Sequence, residues 1–535
     1  MARTGAQAIV AALCDAGVDT VFGLPGVHNL SLWKALGGSG IRLVGVRHEQ
    51  TAAYAADGYA RATGRVGVAL VTTGPGAANA LAAVGEAYAS RSPVVLVATD
   101  IPTALRRPGP VRGALHETSD QRAMFAPVTK AALRASEGGD AGVLAALALA
   151  EAHAHPRRPV FLEVPTDLLD APAAAPGPPP APAPGAPPDA TRAAALLHDA
   201  RRPLVWAGGG ALAAGAGEAV AALAERLGAP VVLTPSARGL LAPGHPLLVG
   251  PPHVEPVGRL WDEADAVVAV GSDLDGTTTQ NWRQPQPPVL VAVNVDAADA
   301  AKNYRVDALV RASAAEGCAA LLDALGEPRR PWADLDAVRA QVAAVPDPQA
   351  RAFLDALADA AGDDAVVVCD MCIPGYWAGA FGRVAGPRRL AYPMGWGTLG
   401  FGFPAAIGAA LAHDGPTIAV CGDGGFLFAC GELATVAQER PRLVTVLVDD
   451  GGYGMLRWDQ DARGDERAGV DLHTPDFVAL ARSFGVRAEG VDGLGEDFAR
   501  TLRELVARPE PSVLVARASL QPPPSTSPRW YRAAA

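Results

Sequence analysis

Between Thr417 and Gly454 the chain spells out a strand, a helix and a second strand whose ends carry acids and glycines, and few folds accommodate such a run. Thr417-Ile-Ala-Val-Cys421 is a short continuous apolar stretch closed by Gly422-Asp423-Gly424-Gly425. A helical stretch from Gly431 to Glu439 follows, then Leu443 to Val448, apolar again and closed by Asp449-Asp450-Gly451-Gly452-Tyr453-Gly454. Such runs suit strands buried on both faces. A β-α-β crossover is right-handed and leaves its strands parallel, so both carboxyl ends open on one edge, where open α/β sheets bind ligands. Asp423 and Asp450, 27 positions apart, are expected to converge there. Carboxylates and backbone carbonyls are hard oxygen ligands suited to Mg²⁺, which commonly completes its octahedron with phosphates. The glycines would let the main chain approach a diphosphate and offer it N–H groups.

The same alternation organises the rest of the 535 residues, a length that exceeds one hydrophobic core. In residues 1–170, Val66 to Val71, Val94 to Ala98 and Val160 to Val164 are strand-like and each is followed by a turn or helix. A Pro/Ala tract at 171–190 reads as an extended interdomain linker. A second block, 191–325, has strands near Leu204–Ala207, Pro230–Leu233, Ala266–Val270 and Val289–Val293. A loosely structured stretch, Gly326 to Asp347, leads into a third block, 345–520. The expected fold class is α/β, with three doubly wound parallel-sheet domains. In the second block Gly208-Gly209-Gly210 with Ala213 satisfies G-x-G-x-x-A, a dinucleotide-type turn, although glycines in a strand-to-helix turn can serve the turn alone.

Composition removes several function classes. Half the residues are apolar and 19% are charged, which suits a well-buried enzyme and excludes a disordered chain. The net charge is −11 and basic runs stop at doublets such as Arg106-Arg107 and Arg157-Arg158, so no nucleic-acid partner is expected. No stretch approaches the roughly 18 apolar residues that span a bilayer. The N-terminus reads as an amphipathic helix leading into a strand, with no cleavage-type site, and a cytoplasmic protein is expected. Six cysteines in so long a chain make no disulfide framework, and Cys369-x-x-Cys372 lacks the second pair a zinc site needs.

The Gly422-Asp423-Gly424 to Asp449-Asp450 unit resembles the thiamine-diphosphate binding motif of the acetolactate synthase and 2-oxo acid decarboxylase superfamily, a Gly-Asp-Gly followed some 25 to 30 residues later by Asn-Asn. The resemblance implies thiamine diphosphate and Mg²⁺ as cofactors, with Asp423, Asp450 and the carbonyl of Gly452 as metal ligands. It also implies cofactor contacts from Gly422, Gly424, Gly425, Tyr453, Gly454 and Met455. The pair Asp449-Asp450 departs from Asn-Asn and adds negative charge beside a diphosphate. Further upstream, Val46-Arg-His-Glu-Gln50 and Ala52-Ala-Tyr-Ala-Ala-Asp-Gly-Tyr-Ala-Arg61 are similar to the family segment whose Glu activates the cofactor, so the resemblance gives Glu49 that catalytic role. A Glu between an apolar strand and an Ala-rich helix is expected to be desolvated, which favours proton sharing with the aminopyrimidine. The plainer alternative makes Glu49 the ion-pair partner of Arg47.

Other matches fall in family order. Thr72-Thr-Gly-Pro-Gly-Ala-Ala-Asn79 resembles a glycine-rich loop by the active site and brings in Thr73, Gly74 and Asn79. Gly395 to Ala406 resembles the segment that grips the pyrimidine, through Gly397 and an apolar wedge at Leu399. The likeness extends to 5-guanidino-2-oxopentanoate decarboxylase-like proteins at Phe22 to Asn29, Gly113 to Glu117, Asp120 to Arg122, Ala301 to Tyr304 and Ser527 to Tyr531. Leu115-His116 stands where acetolactate synthase carries Phe-Gln, so His116, with His28, becomes a candidate for protonation or for holding a carboxylate. Either could equally be a packing histidine. Met455 and Leu456 are candidates to line the substrate cavity.

The expected reaction is decarboxylation of a 2-oxo acid through an enamine, releasing CO₂ and an aldehyde. The alternatives are acetolactate synthase-like carboligation to a second carbonyl compound and, more remotely, a non-catalytic thiamine-diphosphate-binding protein. FAD, which some relatives hold in the middle domain, is a further candidate. The resemblance also implies a homodimer or homotetramer with active sites between subunits.

Overall fold

Three six-stranded parallel sheets organise the computed structural model, which describes residues 3–107, 109, 111–173 and 187–524. Positions 174–186 of the Pro/Ala tract and the Ser527 to Tyr531 motif lie outside the described residues. The first sheet uses the strands Thr20–Gly23, Arg42–Gly45, Gly67–Val71, Val94–Asp100, Ala131–Arg134 and Val160–Pro165. Counted along the chain, these lie side by side in the order 2-1-3-4-6-5. The third sheet uses Val366–Cys369, Leu390–Ala391, Thr417–Gly422, Leu443–Asp449, Arg487–Asp492 and Ser512–Arg517, and it repeats that order. The middle sheet, which starts at Pro203–Ala207 and ends at Ala308–Arg311, has the order 3-2-1-4-5-6 found in dinucleotide-binding folds.

These strands read as unbroken apolar runs because both faces are covered. Along Val94–Asp100, for example, Val94, Leu96 and Ala98 enter one core while Val95 and Val97 enter another. Part of the first core is shared with the third block: Phe22, Tyr54 and Leu96 belong to the same apolar cluster as Val368, Phe403 and Leu447. No helix among the described residues is long and apolar enough to cross a membrane.

The shared core closes on two helices, Glu49–Thr63 and Gly402–Leu411. Each carries the same short pattern, Ala55-Ala56-Asp57-Gly58 in one and Ala405-Ala406-Ile407-Gly408 in the other, and each presents it to its counterpart. A Cβ added at Gly58 would lie 1.9 Å from the carbonyl oxygen of Ala405, and one at Gly408 would lie 1.8 Å from that of Ala55. The backbones therefore touch, and Ala and Gly are the residues that permit it. At the flank, Arg61 donates to Asp57 at 2.9 and 2.8 Å, to Glu86 at 3.1 Å and to the carbonyl of Tyr392 at 2.9 Å, while its guanidinium lies over the Phe401 ring.

Two local expectations differ in detail. The stretch from Gly326 to Asp347 holds a helix, Leu335–Ala343, capped by the Asp334 carboxylate and fixed by burial of Leu335 and Val342 against the middle core. The chain after Gly422 turns at once into a short helix, Asp423–Phe426. A 3-10 turn, Cys430–Glu432, then precedes the helix Leu433–Glu439.

A branched side chain at the helix contact must force the two backbones apart. Gly58→Val and Gly408→Val are each expected to lower the unfolding free energy by about 1–3 kcal/mol or more, read from urea denaturation. Unchanged midpoints in both would contradict the contact.

Candidate active site

The chemistry-bearing residues of the third block stand where its strands end. Thr417–Gly422 and Leu443–Asp449 pair in parallel, with Gly422 opposite Val448, so Asp423 and the Asp449-Asp450-Gly451-Gly452 turn leave the same edge side by side. Asp423 is 1% exposed. Its Oδ1 accepts the N–H of Gly424 at 2.8 Å and its Oδ2 accepts that of Gly452 at 2.7 Å. Burial pushes its carboxyl up to about 7, and the nearby charges of Asp450 and Asp449 add to that against the two N–H bonds. Burial also raises Asp450, although Arg457 binds its Oδ1 and donates to its carbonyl at 2.8 Å. Gly454 opens the next helix, Gly454–Arg463, and a Cβ there would lie 2.2 Å from Asp450 Oδ2. Met455 packs onto the core of the third block, while Leu456 is half exposed.

Beside this turn runs the segment with Gly397 and Leu399. Its anchor is Asp370, at the end of the neighbouring strand Val366–Cys369, a residue with no part in the sequence expectations. Asp370 Oδ1 accepts the N–H groups of Met371 at 2.7 Å and Gly400 at 3.0 Å, and Oδ2 accepts that of Gly402 at 3.2 Å. The signal available for it was its position, since it is an acid at a strand end on the edge that also carries Asp423. Burial lifts its carboxyl to about 6 against those backbone bonds. The segment is also tied to the first block, by Thr398 Oγ1 bonded to Tyr54 Oη at 2.7 Å and by the N–H of Trp396 donating to Glu86 at 2.9 Å.

In the first block Glu49 is the first residue of the helix Glu49–Thr63 and is buried. Its Oε2 accepts from Asn79 Nδ2 at 3.0 Å. Arg47 points elsewhere, donating to Gln438 Oε1 and the Gly45 carbonyl. Thr73 donates to Thr99 Oγ1 at 2.9 Å. Gly74 has φ of 63°, and its N–H donates at 2.6 Å to Gln121, a buried side chain that also bonds Glu163 and the Thr99 carbonyl. A Cβ on Gly74 would lie 2.4 Å from the carbonyl oxygen of His116, so the loop bearing His116 rests on this turn. The His116 and His28 rings meet edge to face at 5.4 Å. Burial, then the charge of His116, lowers the His28 pKa, and the Nδ1 atoms of both rings are buried with no hydrogen-bond partner.

Residues 3–124, 190–321 and 372–516 match, in that order, the N-terminal thiamine pyrophosphate binding domain, the central domain and the C-terminal thiamine pyrophosphate binding domain of the thiamine pyrophosphate enzymes. The chain belongs to the thiamine pyrophosphate enzyme family. It is 41% identical to a Pseudomonas aeruginosa protein named "Probable 2-ketoarginine decarboxylase AruI", over 92% of this chain and 90% of that one. It is 30% identical to a probable acetolactate synthase large subunit of Methanocaldococcus jannaschii, over 95% and 91% of the two chains, and 32% identical to acetolactate synthase of Mycobacterium bovis, over 90% and 82%.

The donor set of this thiamine pyrophosphate enzyme suits a hard cation. Asp423 and Asp450 crowd negative charge that a divalent ion would relieve, and the Gly452 turn is bonded directly to Asp423. Among the described residues no group of three or more His, Cys, Asp or Glu is arranged to hold a metal by itself. Cys369 is buried in the core. The Gly208 and Gly210 turn is accounted for by packing, since a Cβ on either would fall within 3 Å of the Gly271 backbone. It lines a cleft of about 270 Å³ with Arg157 and Arg388.

Because burial lifts Asp370, the folded chain holds its proton between about pH 4 and 6 while the unfolded chain releases it. Its contribution to stability is full below that window and is lost as pH rises through 6. In urea unfolding across this range, Asp370→Asn should decline less with pH than wild type; identical slopes would refute burial as the cause.

Proposed function

We propose that the protein is a thiamine-diphosphate- and Mg²⁺-dependent decarboxylase that releases CO₂ and an aldehyde from a 2-oxo acid. The observation that carries this reading is Asp423 bonded to Gly452 beside Asp450 at two adjacent strand ends, in a family member that retains Glu49. Bound thiamine diphosphate supplies the nucleophilic carbon and the electron sink that loss of CO₂ from a 2-oxo acid requires. Asp423, Asp450 and the Gly452 carbonyl would hold Mg²⁺, with Gly422, Gly424, Gly425, Tyr453, Gly454 and Met455 around the diphosphate. Gly397 and Leu399 would support the pyrimidine, and Asp370 fixes their segment. Glu49 would share a proton at its carboxyl with the pyrimidine ring, its orientation set by Asn79, with Thr73 and Gly74 at the neighbouring turn. His28 and His116, with unsatisfied Nδ1 atoms, would hold the substrate carboxylate or deliver a proton to the product.

The 41% relative's name favours a 2-oxo acid with a guanidino end as substrate. The acetolactate synthases among the relatives support a second reading, in which the decarboxylated fragment is joined to another carbonyl compound. Decarboxylation involves no net electron transfer, so FAD has no step in the proposed reaction. A homodimer is part of the proposal: Val27, Leu115, Trp396, Phe428 and Leu456 are each half exposed or more in the single chain, as expected of surfaces that a second copy covers. All six cysteines are free, which suits the reducing cytoplasm.

Isothermal titration should show Mg²⁺-dependent uptake of thiamine diphosphate, weakened at least tenfold in Asp423→Ala; uptake indifferent to Mg²⁺ would end the metal assignment. With a panel of 2-oxo acids, with and without an acceptor aldehyde, mass spectrometry should find the aldehyde as product and 5-guanidino-2-oxopentanoate as the best substrate. Ligated products without free aldehyde would select the synthase reading.

A further inference from the structure

The helix that begins with Glu49 is held at its start by a residue from the far end of the chain. Glu432, 1% exposed in the 3-10 turn Cys430–Glu432, accepts the N–H of Arg47 at both carboxylate oxygens, 2.9 and 3.1 Å. The N–H of His48 and the hydroxyl of Thr51 also donate to it, and Thr435 Oγ1 does so at 2.5 Å. On the same side, Arg47 donates to Gln438 at 2.9 Å and Arg42 to Glu439 at 2.8 Å. The segment 432–439 therefore grips 42–51, with Glu432 at its centre.

A helix start leaves N–H groups without intrahelical partners. Here one buried carboxylate from another block takes those just ahead of the helix, so the first turn cannot shift without stripping hydrogen bonds from a buried charge. Glu49 is the residue that such a shift would move, and displacement of a reacting group by about 1 Å can cost about 100-fold in rate.

We infer that Glu432 is a positioning residue for Glu49: by binding the backbone of Arg47 and His48 it fixes where the Glu49 carboxyl meets the pyrimidine ring. The inference rests on the reading of Glu49 as the group that activates the cofactor. It also makes the turn nine residues beyond Asp423 the support of its own chain's Glu49.

The test uses the full-length protein with thiamine diphosphate and Mg²⁺, as wild type, Glu432→Ala, Glu432→Gln and Glu49→Gln. Amide hydrogen exchange without cofactor should accelerate at least tenfold at residues 47–51 in Glu432→Ala, with the strands of the first sheet unchanged. Exchange of the C2 proton of bound cofactor, followed by NMR, should fall at least tenfold in that variant while cofactor affinity stays within threefold. Glu432→Gln, which keeps an acceptor oxygen, should restore most of the rate. Should Glu432→Ala loosen 47–51 yet leave C2 exchange within twofold, or should all protection collapse in both Glu432 variants, Glu432 is packing alone and the inference fails. Loss in Glu49→Gln without loss in Glu432→Ala overturns this inference only. Undiminished exchange in Glu49→Gln overturns the reading of Glu49 and the inference with it.

Discussion

The direct backbone contact between the helices Glu49–Thr63 and Gly402–Leu411 is the constraint on which the rest is built. Where Gly58 meets the Ala405 carbonyl and Gly408 meets that of Ala55, there is no room for a side chain. Two sheets of identical strand order are thereby held at one fixed separation. Further ties join the first and third blocks, among them Tyr54 with Thr398, Glu86 with Trp396, Arg61 with Tyr392 and Glu432 with Arg47. The pattern Ala-Ala-x-Gly appears in both helices because each is the other's partner in a nearly two-fold arrangement. Two domains that fold alike can meet through equivalent elements, and small residues at i and i+3 let both backbones approach at once.

The edge of the third sheet sets the electrostatics. Adjacent strands end in Asp370, Asp423 and Asp449-Asp450, four acids at three neighbouring strand ends, the first two buried and the last two half-buried. Their tasks differ because their donors differ. Asp370 is saturated by backbone N–H groups and acts as scaffold for Gly400 and Gly402. Asp423 is bonded only to the two turns beside it and sits among other acids, which is the situation a cation relieves.

The fold class was legible in the chain because continuous β-branched runs separated by Ala-rich stretches permit little besides parallel sheets, and Asp423 was legible because Gly-Asp-Gly closes such a run. The loops around Glu49 and Gly74 were legible as segments, through resemblance and not through periodicity. Asp370, Gln121 and Glu432 were not. Each acts on backbone N–H groups distant in sequence, and a backbone donor leaves no trace in residue identity. A buried acid in an ordinary turn looks the same whether it bonds the N–H of Arg47 or faces water. The helix Leu335–Ala343 was hidden for a related reason: it is short, only Leu335 and Val342 are buried, and that burial depends on the middle core it lies against.

The departure at the second position of the pair, Asp450 in place of Asn, finds a local answer in the same way. Replacing an amide by a carboxylate beside a diphosphate adds one negative charge where anions already accumulate. In this chain Arg457, one turn into the following helix, binds both the side chain and the carbonyl of Asp450 and lies within reach of Asp471. The guanidinium neutralises the extra charge and leaves Asp450 Oδ2 outside that bond, on the side where Gly454 has no Cβ. One carboxylate can therefore spend one oxygen on an arginine and keep the other for a metal, which an asparagine with a single carbonyl oxygen cannot do. The pair Asp450 and Arg457 is thus best read as one unit, equivalent to the neutral amide both in charge and in the one side-chain oxygen it leaves free.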